Sequence, residues 1–219
     1  MKTRVIAVVI AATLGAGTAT ALAATLGIGS WHLWTGSQTL TKGTCTITSA
    51  ASIVDTYVSE AATGTSFGTA TTMNVRADLG SRAWTFVRFD LSSCALPTTG
   101  GADTATLKLV VKTPANNSRT LTLTPVLNTW NGTLTAVQAF GLTFGSSATT
   151  TFATGTTSGA TLSIPVTIDI DALIKNPTAN FGWRIDDEGT TTNANLTIFN
   201  SSEATTAALR PQLVINYEK

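Results

Sequence analysis

The chain has 219 residues, of which only 11% are charged, and its formal net charge at pH 7 is +1. Its Lys and Arg residues are scattered rather than clustered, which argues against nucleic acid as a partner and against a polybasic membrane-binding patch. About one residue in five is Thr, which suits half-exposed strands, and the length is enough for one β-rich domain with a sizeable hydrophobic core.

Residues 1–23 have the order of an export signal. A short basic start is followed by an apolar run over 5–14 and then by small residues that end at Ala23. Ala21 and Ala23 are small side chains at positions −3 and −1 of an expected cleavage site. The alternative is an uncleaved membrane anchor through residues 5–29, because no charged residue occurs there. Either form predicts a secreted or cell-surface protein.

Residues 24–50 form a lead-in segment ahead of the main domain, which we expect at 51–219. Trp31, Leu33 and Trp34 are apolar, whereas the residues that follow are mostly Thr, Gly and Ser. The segment is either an extended lead-in strand or a tether that holds the domain off a surface. Exposed aromatic side chains in a tether would be costly, so we expect a partner surface to cover them.

The two cysteines, Cys45 and Cys94, predict one disulfide. A lone pair of cysteines in an exported protein is most often joined, and their spacing with the single histidine, His32, fits no zinc pattern. The bridge would attach the lead-in segment to the end of a central strand.

Alternation of apolar and polar residues dominates the chain after residue 51 and predicts many short strands. The expected strands lie at 52–58, 72–77, 84–91, 105–111, 121–127, 162–170, 181–185, 196–198 and 213–217. The one helical indication is a turn or two that begins at Asp169 or Asp171 and ends before Asn176 and Pro177. This pattern predicts an all-β fold, an antiparallel β-sandwich or jelly roll, behind the N-terminal signal or anchor segment.

Short motifs follow one another along residues 51–219. They are DTYV at 55–58, FGT at 67–69, MNVR at 73–76, RFDLS at 88–92, ATLKL at 105–109, NFGW at 180–183, SSE at 201–203 and RPQL at 210–213. Their order and spacing resemble those of the DNRLRE domain, a secreted β-sandwich module related to some carbohydrate-binding modules. Where that family usually has a second Trp after the position of Trp130, this chain has Ala139, Phe140 and Gly141. The resemblance implies carbohydrate binding.

Tryptophan and arginine side chains are the candidates for carbohydrate binding, because the CH face of a sugar stacks on an aromatic ring. Trp130 sits at a strand–loop junction, and Trp84 begins a strand beside Arg82. Trp183 alternates with apolar residues and is expected in the core. A core position is also the alternative for Trp130.

Asp169 and Asp171 are the candidates for a structural calcium site. In an extended segment both carboxylates would lie on one face, and calcium prefers several oxygen ligands. The alternative is a solvated strand end with a helix cap. No other cofactor is expected. Residues 186–188 fit a charged turn after a strand, and nothing around His32 suggests a catalytic arrangement, so we do not expect an enzyme.

The sequence therefore predicts a non-catalytic module, secreted or at the cell surface, that binds polysaccharide. The alternative is a structural surface or filament subunit. In that case residues 24–34 would add a strand to the sheet of a like subunit, and head-to-tail addition of this kind builds a fibre.

Overall fold

Two antiparallel sheets pack face to face in the computed structural model, which describes residues 41–97, 101–147, 149–188 and 195–218. The elements are β1 (Lys42–Ile47), β2 (Ile53–Ser59), β3 (Thr72–Val75), β4 (Ala83–Phe89), β5 (Ala102–Thr113), β6 (Thr120–Pro125), α1 (Ala136–Ala139), β7 (Thr150–Ala153), β8 (Thr161–Pro165), α2 (Thr167–Lys175), β9 (Trp183–Asp186), β10 (Thr197–Asn200) and β11 (Gln212–Glu218). The first sheet has the order β1-β11-β5-β10-β3, with β8 also paired to β5, and the second has the order β2-β4-β9-β6-β7. The prediction of an all-β antiparallel sandwich is confirmed.

The main hydrophobic core lies between the two sheets and is built by the alternation that the sequence displays. Leu107 and Leu109 of β5 are completely buried there, together with Leu123 of β6 and Phe199 of β10. The residue between the two β5 leucines, Lys108, is partly exposed on the opposite face. Because close-packed side chains fill this space, shortening one buried Leu to Ala typically costs about 2–5 kcal/mol.

A second apolar cluster lies between the outer face of the second sheet and residues 126–145, which we call the covering segment. The buried residues of this cluster are Val58, Phe86, Val126, Trp130, Leu134, Ala136 and Ala139. Within the covering segment, α1 begins with a capping box in which the side chains of Thr135 and Gln138 each accept a hydrogen bond from the other residue's backbone N–H. The covering segment hides one part of this face and leaves another part open.

The predicted disulfide between Cys45 and Cys94 is confirmed, with its Cα atoms 5.7 Å apart. Cys45 belongs to β1 in the first sheet, and Cys94 follows the short 3-10 turn Leu91–Ser93 that ends β4 in the second sheet. The bridge therefore joins the two sheets. With the cysteines 49 positions apart in the sequence, the chain-entropy model gives a stabilisation of about 4 kcal/mol.

Thr41–Lys219 form one compact unit, and its first strand, β1, lies inside segment 24–50, for which an extended lead-in strand was one of the two expectations. Lys42–Ile47 pairs along its whole length with β11. The alternation in β1 is hard to recognise because its inward positions include Gly43 and Cys45, which are small. Gly43 is needed there, because a Cβ atom would lie 2.6 Å from the ring of Tyr217.

The expected signal or anchor at 1–23, the anchor span 5–29 and the lead-in residues 24–40 lie outside the described residues. No helix in the described part of the chain has the length and apolarity needed to cross a membrane.

The expected strand at 162–170 is wrong in its second half. β8 ends at Pro165, and α2 then runs from Thr167 to Lys175. The helix begins before the predicted start at Asp169 or Asp171, and it ends before Asn176, as predicted. The apolar residues of this run fit both periods. In the helix Ile170 and Ile174 are buried one turn apart, whereas Ile168 is 79% exposed.

Candidate functional site

The open part of the second sheet's outer face carries a groove, which we call the outer groove. It consists of two adjoining cavities, of about 140 Å³ and 300 Å³, that share Phe144 and Arg184 as walls. The smaller cavity is mainly aromatic, and its lining includes Trp84, Phe86, Phe140 and Phe144. The larger cavity is polar, and its lining includes Thr122, Thr124, Ser146, Ser147, Thr151 and Glu188.

The strand register explains why these side chains meet. Arg184 of β9 lies between Phe86 of β4 and Thr124 of β6. Two residues further along β9, Asp186 pairs with Thr122, which in turn pairs with Thr151 of β7. Side chains two positions apart on a strand share a face, so neighbouring strands place an aromatic, a charged and a hydroxyl-bearing row side by side.

Aromatic rings form one end of the outer groove. Trp84 is half-buried, and its ring meets the ring of Phe140 edge to face, with the ring centroids 5.7 Å apart. Phe140 follows α1 and is 61% exposed, so much of its ring is open to solvent. The third ring, Phe144, lies under the guanidinium group of Arg184, whose central carbon is 4.2 Å from the ring centroid.

Arg184 and Asp186 form an ion pair beneath the groove. Nη2 of Arg184 lies within salt-bridge distance of Oδ2 of Asp186, while Nε of Arg184 and Oδ1 of Asp186 are buried without a hydrogen-bond partner among the described residues. Burial raises the pKa of Asp186 to about 6; the positive charge of Arg184 opposes this rise, and the charges of Glu188 and Asp187 add to it. An arginine has five N–H donors, so the guanidinium keeps donors for a further partner.

Of the side chains predicted for carbohydrate binding, Trp84 lines the aromatic cavity, and Arg82 lies next to Trp84 outside the cavity lining. The guanidinium of Arg82 is 5.7 Å from the centre of the Trp84 ring. Glu60 holds Arg82 in place through a 2.6 Å ion pair, and the hydrogen bond from Arg82 is the main cause that lowers the pKa of Glu60.

The third predicted side chain, Trp130, does not offer a ring face to a ligand. It is only 4% exposed in the cluster under the covering segment, and its Nε1 donates a 2.6 Å hydrogen bond to the backbone oxygen of Phe181. The ring of Phe86 lies on one side, 5.6 Å away. Trp130 therefore occupies a core position, which was the alternative to carbohydrate binding. Trp183 is 2% exposed, which confirms the prediction that it lies in the core.

Asp169 and Asp171 do not share a strand face, because the segment is helical. A carboxylate oxygen of Asp169 accepts hydrogen bonds from the hydroxyl of Thr149 and from the indole N–H of Trp183. Asp171 instead accepts a 2.6 Å hydrogen bond from the backbone N–H of Ala102. The described residues include no group of three or more His, Cys, Asp or Glu side chains placed to hold a metal ion. Calcium binding stays a prediction, but the extended segment with both carboxylates on one face, which it assumed, does not occur.

A second buried carboxyl group lies away from the outer groove. Asp55 of β2 accepts a 2.6 Å hydrogen bond from the backbone N–H of Ser202, and burial raises its pKa to about 6. Asp55 belongs to the motif at 55–58 and Ser202 to the motif at 201–203, so two motifs that are far apart in the sequence meet in the fold.

Four groove residues were not predicted from the sequence: Phe140, Phe144, Arg184 and Glu188. A usable signal was present in β9 and the residues after it, where Arg184, Asp186 and Glu188 alternate with residues that face the core. No comparable signal marks Phe140 and Phe144, because the covering segment has no regular period.

No protein-family model matches this chain, and no curated protein matches it. What the chain binds has to be inferred from the chemistry of the outer groove. The alternative of strand addition by residues 24–34 concerns a segment outside the described residues and stays a prediction.

Proposed function

We propose that this protein is a non-catalytic polysaccharide-binding module, secreted or at the cell surface, and that the outer groove is its binding site. The observation that carries this proposal is the juxtaposition, on an open sheet face, of exposed aromatic rings with a row of hydroxyl groups and an arginine. The DNRLRE-like order of motifs supports the same conclusion independently of the groove.

Each end of the outer groove suits a different part of a sugar. The rings of Trp84 and Phe140 offer apolar surface on which the CH face of a pyranose ring stacks. The hydroxyls of Thr122, Thr124 and Thr151 donate and accept hydrogen bonds, as sugar hydroxyls do. A groove that is open along the sheet surface also admits a chain of sugars, whereas a closed pocket admits a single residue.

The carboxylates of the groove favour binding over hydrolysis. Glycoside hydrolysis generally uses a pair of carboxyl groups that flank the scissile bond. Asp186 is 4% exposed and is paired with Arg184, so Glu188 is left as the carboxylate that lines the polar cavity among the described residues. One accessible carboxylate is compatible with recognition of hydroxyl groups but does not provide an acid and a nucleophile.

The extracellular location is supported by two features of the chain. The order of residues 1–23 is that of an export signal, and the Cys45–Cys94 disulfide is of a kind that persists in oxidising compartments. The low charge of the chain fits a partner without a dense charge of its own.

Affinity electrophoresis of the full chain in gels that contain soluble polysaccharides tests the proposal. The panel should include neutral glucans, xylans and galactans as well as polyuronates. The informative variant is Phe140→Ala, and its matched control is Val137→Ala, because both side chains are exposed to a similar degree, 61% and 63%, and only Phe140 lines the groove.

We expect retardation by at least one polysaccharide, weakened about fivefold or more by Phe140→Ala, since an aromatic contact contributes about 0.5–1.5 kcal/mol beyond the area that it buries. Val137→Ala should behave as the unaltered protein does. Folded protein that no polysaccharide retards would remove the proposal, and equal effects of both variants would remove the groove as the site.

A further inference from the structure

The charges of the outer groove point to the class of polysaccharide, and this inference rests on the proposed function. We infer that the groove takes a neutral polysaccharide and discriminates against polyuronates and sulfated chains, through the carboxylate of Glu188 and the prior neutralisation of Arg184 by Asp186.

Arg184 gives the first argument against an anionic polysaccharide. It is the positively charged residue that lines the groove in the described part of the chain. An arginine that recognises a carboxylate normally presents its planar edge for two parallel hydrogen bonds. Here Nη2 is engaged by Asp186, and the guanidinium lies close to the ring of Phe144. A uronate would have to compete with a carboxylate that the fold already holds in place.

A second cation near the groove, Arg82, is neutralised in the same way. Arg82 beside Trp84 is bound to Glu60 through two of its nitrogens, and Glu60 also accepts hydrogen bonds from the backbone N–H groups of Gly80 and Arg82. Arg82 can therefore offer a ligand the methylene groups of its side chain and the flat face of its guanidinium near Trp84. It adds little net positive charge, because Glu60 neutralises it.

Glu188 contributes a negative charge to the groove that no ion pair in the parts of the chain that the structure describes neutralises. It is exposed, it lines the polar cavity, and the described residues place no salt-bridge partner within 4.0 Å of it. Its neighbour Asp187 turns inward, where Arg119 binds it through two hydrogen bonds of 2.6 Å and 2.8 Å. One neutralised ion pair, Arg184 with Asp186, therefore lies at the groove, a second lies beside it, and Glu188 adds a negative charge to the groove lining. That charge repels an anionic chain and leaves a neutral chain unaffected.

Pairs of polysaccharides with one backbone and two charge states test this inference. Suitable pairs are hydroxyethyl-cellulose with carboxymethyl-cellulose, and methyl-esterified galacturonan with its de-esterified form. Dissociation constants are measured by isothermal titration at low ionic strength and again at high ionic strength. The variant is Glu188→Gln, and the control is Glu203→Gln, an exposed glutamate that does not line the groove.

We expect the unaltered protein to bind the neutral member at least about fivefold more tightly at low ionic strength, since unit charges about 4 Å apart in water interact by about 1 kcal/mol. High salt should narrow that ratio. At low salt, Glu188→Gln should reduce the ratio of the dissociation constants for the anionic and neutral members, and Glu203→Gln should leave that ratio unchanged.

Equal or tighter binding of the anionic members would overturn this inference and leave the proposed function standing. A preference for neutral chains that survives in Glu188→Gln would overturn the role of Glu188. If neither member of any pair binds folded protein, the proposed function fails, and this inference fails with it.

Discussion

The two faces of the second sheet are built by alternate residues of the same strands, yet they differ in chemistry. On the inner face, Leu121, Leu123 and Ile185 are completely buried against the first sheet. On the outer face the neighbouring positions hold Thr122, Arg184 and other polar residues, and only part of that face is covered. A single strand can therefore contribute to the core with one set of side chains and shape the outer groove with the other.

The covering segment decides where the outer face becomes a site. Trp130 of the covering segment packs against Phe86 of β4, and both belong to a second apolar cluster that is buried like the main core. Later in the same segment, Phe140 and Phe144 lie beside Arg184 and line the aromatic cavity of the outer groove, where Phe86 also contributes to the lining. Aromatic residues of one segment therefore have different roles, because Trp130 faces the sheet whereas Phe140 and Phe144 border the open part of the face.

Substitutions on the two faces should differ most in the free energy of unfolding. Leu123→Ala on the inner face should lower the free energy of unfolding by about 2–5 kcal/mol, because it leaves a cavity in the close-packed core. Thr122→Ala, one residue away on the outer face, should change it by less than about 0.5 kcal/mol. Denaturant titration of the oxidised protein measures both. Similar losses for the two variants would mean that the outer face contributes to the fold as much as the inner face does.

A smaller effect concerns the buried carboxyls, one on each face of the sheet. The pKa values of Asp55 and Asp186 are each raised to about 6, so the folded protein favours their protonated forms. Both groups therefore contribute stability that is present at about pH 4 and is lost as the pH rises through 6, on the order of 1–3 kcal/mol for each group.

The free energy of unfolding, measured from pH 4 to pH 7, checks this for the unaltered protein and for Asp55→Asn. The loss of stability over that interval should be smaller in the variant, because one of the two titrating groups is absent. Asp90→Asn is the control, since Asp90 is exposed and its pKa is lowered, chiefly by the backbone N–H of Ser92. An unchanged slope in Asp55→Asn would show that Asp55 does not titrate in this interval.

Much of the sandwich could be predicted from sequence because alternation reports which residues share a face. The strands around Val87, Leu107 and Leu213 were expected near the positions at which they occur. The position of β1 was not predicted within segment 24–50, where an extended strand was one of two alternatives, because small inward residues hide its period. The strand expected through Ile170 was wrong because a period of two and a period of 3.6 both fit its apolar residues.

The site was predictable only in part, for a different physical reason. Trp84 and Arg82 are close in sequence and belong to one strand region, so their proximity could be expected. Phe140 and Arg184 come from the covering segment and from β9, and only the folded chain brings them together. Alternation does not report which part of an outer face a loop will cover, and for that reason Trp130 could be a candidate on sequence grounds and still be buried.

The most direct test of the outer groove follows the indole N–H signals of the ¹⁵N-labelled protein by NMR while a polysaccharide that binds it is added. Trp84 lines the groove, whereas Trp130 and Trp183 are buried, with their indole N–H groups bonded to Phe181 and Asp169. The replacement Trp84→Phe identifies the signal of Trp84. We predict that this signal shifts with saturation while those of Trp130 and Trp183 stay in place. A polysaccharide that binds at saturation and leaves the Trp84 signal unmoved would contradict the outer groove as the binding site.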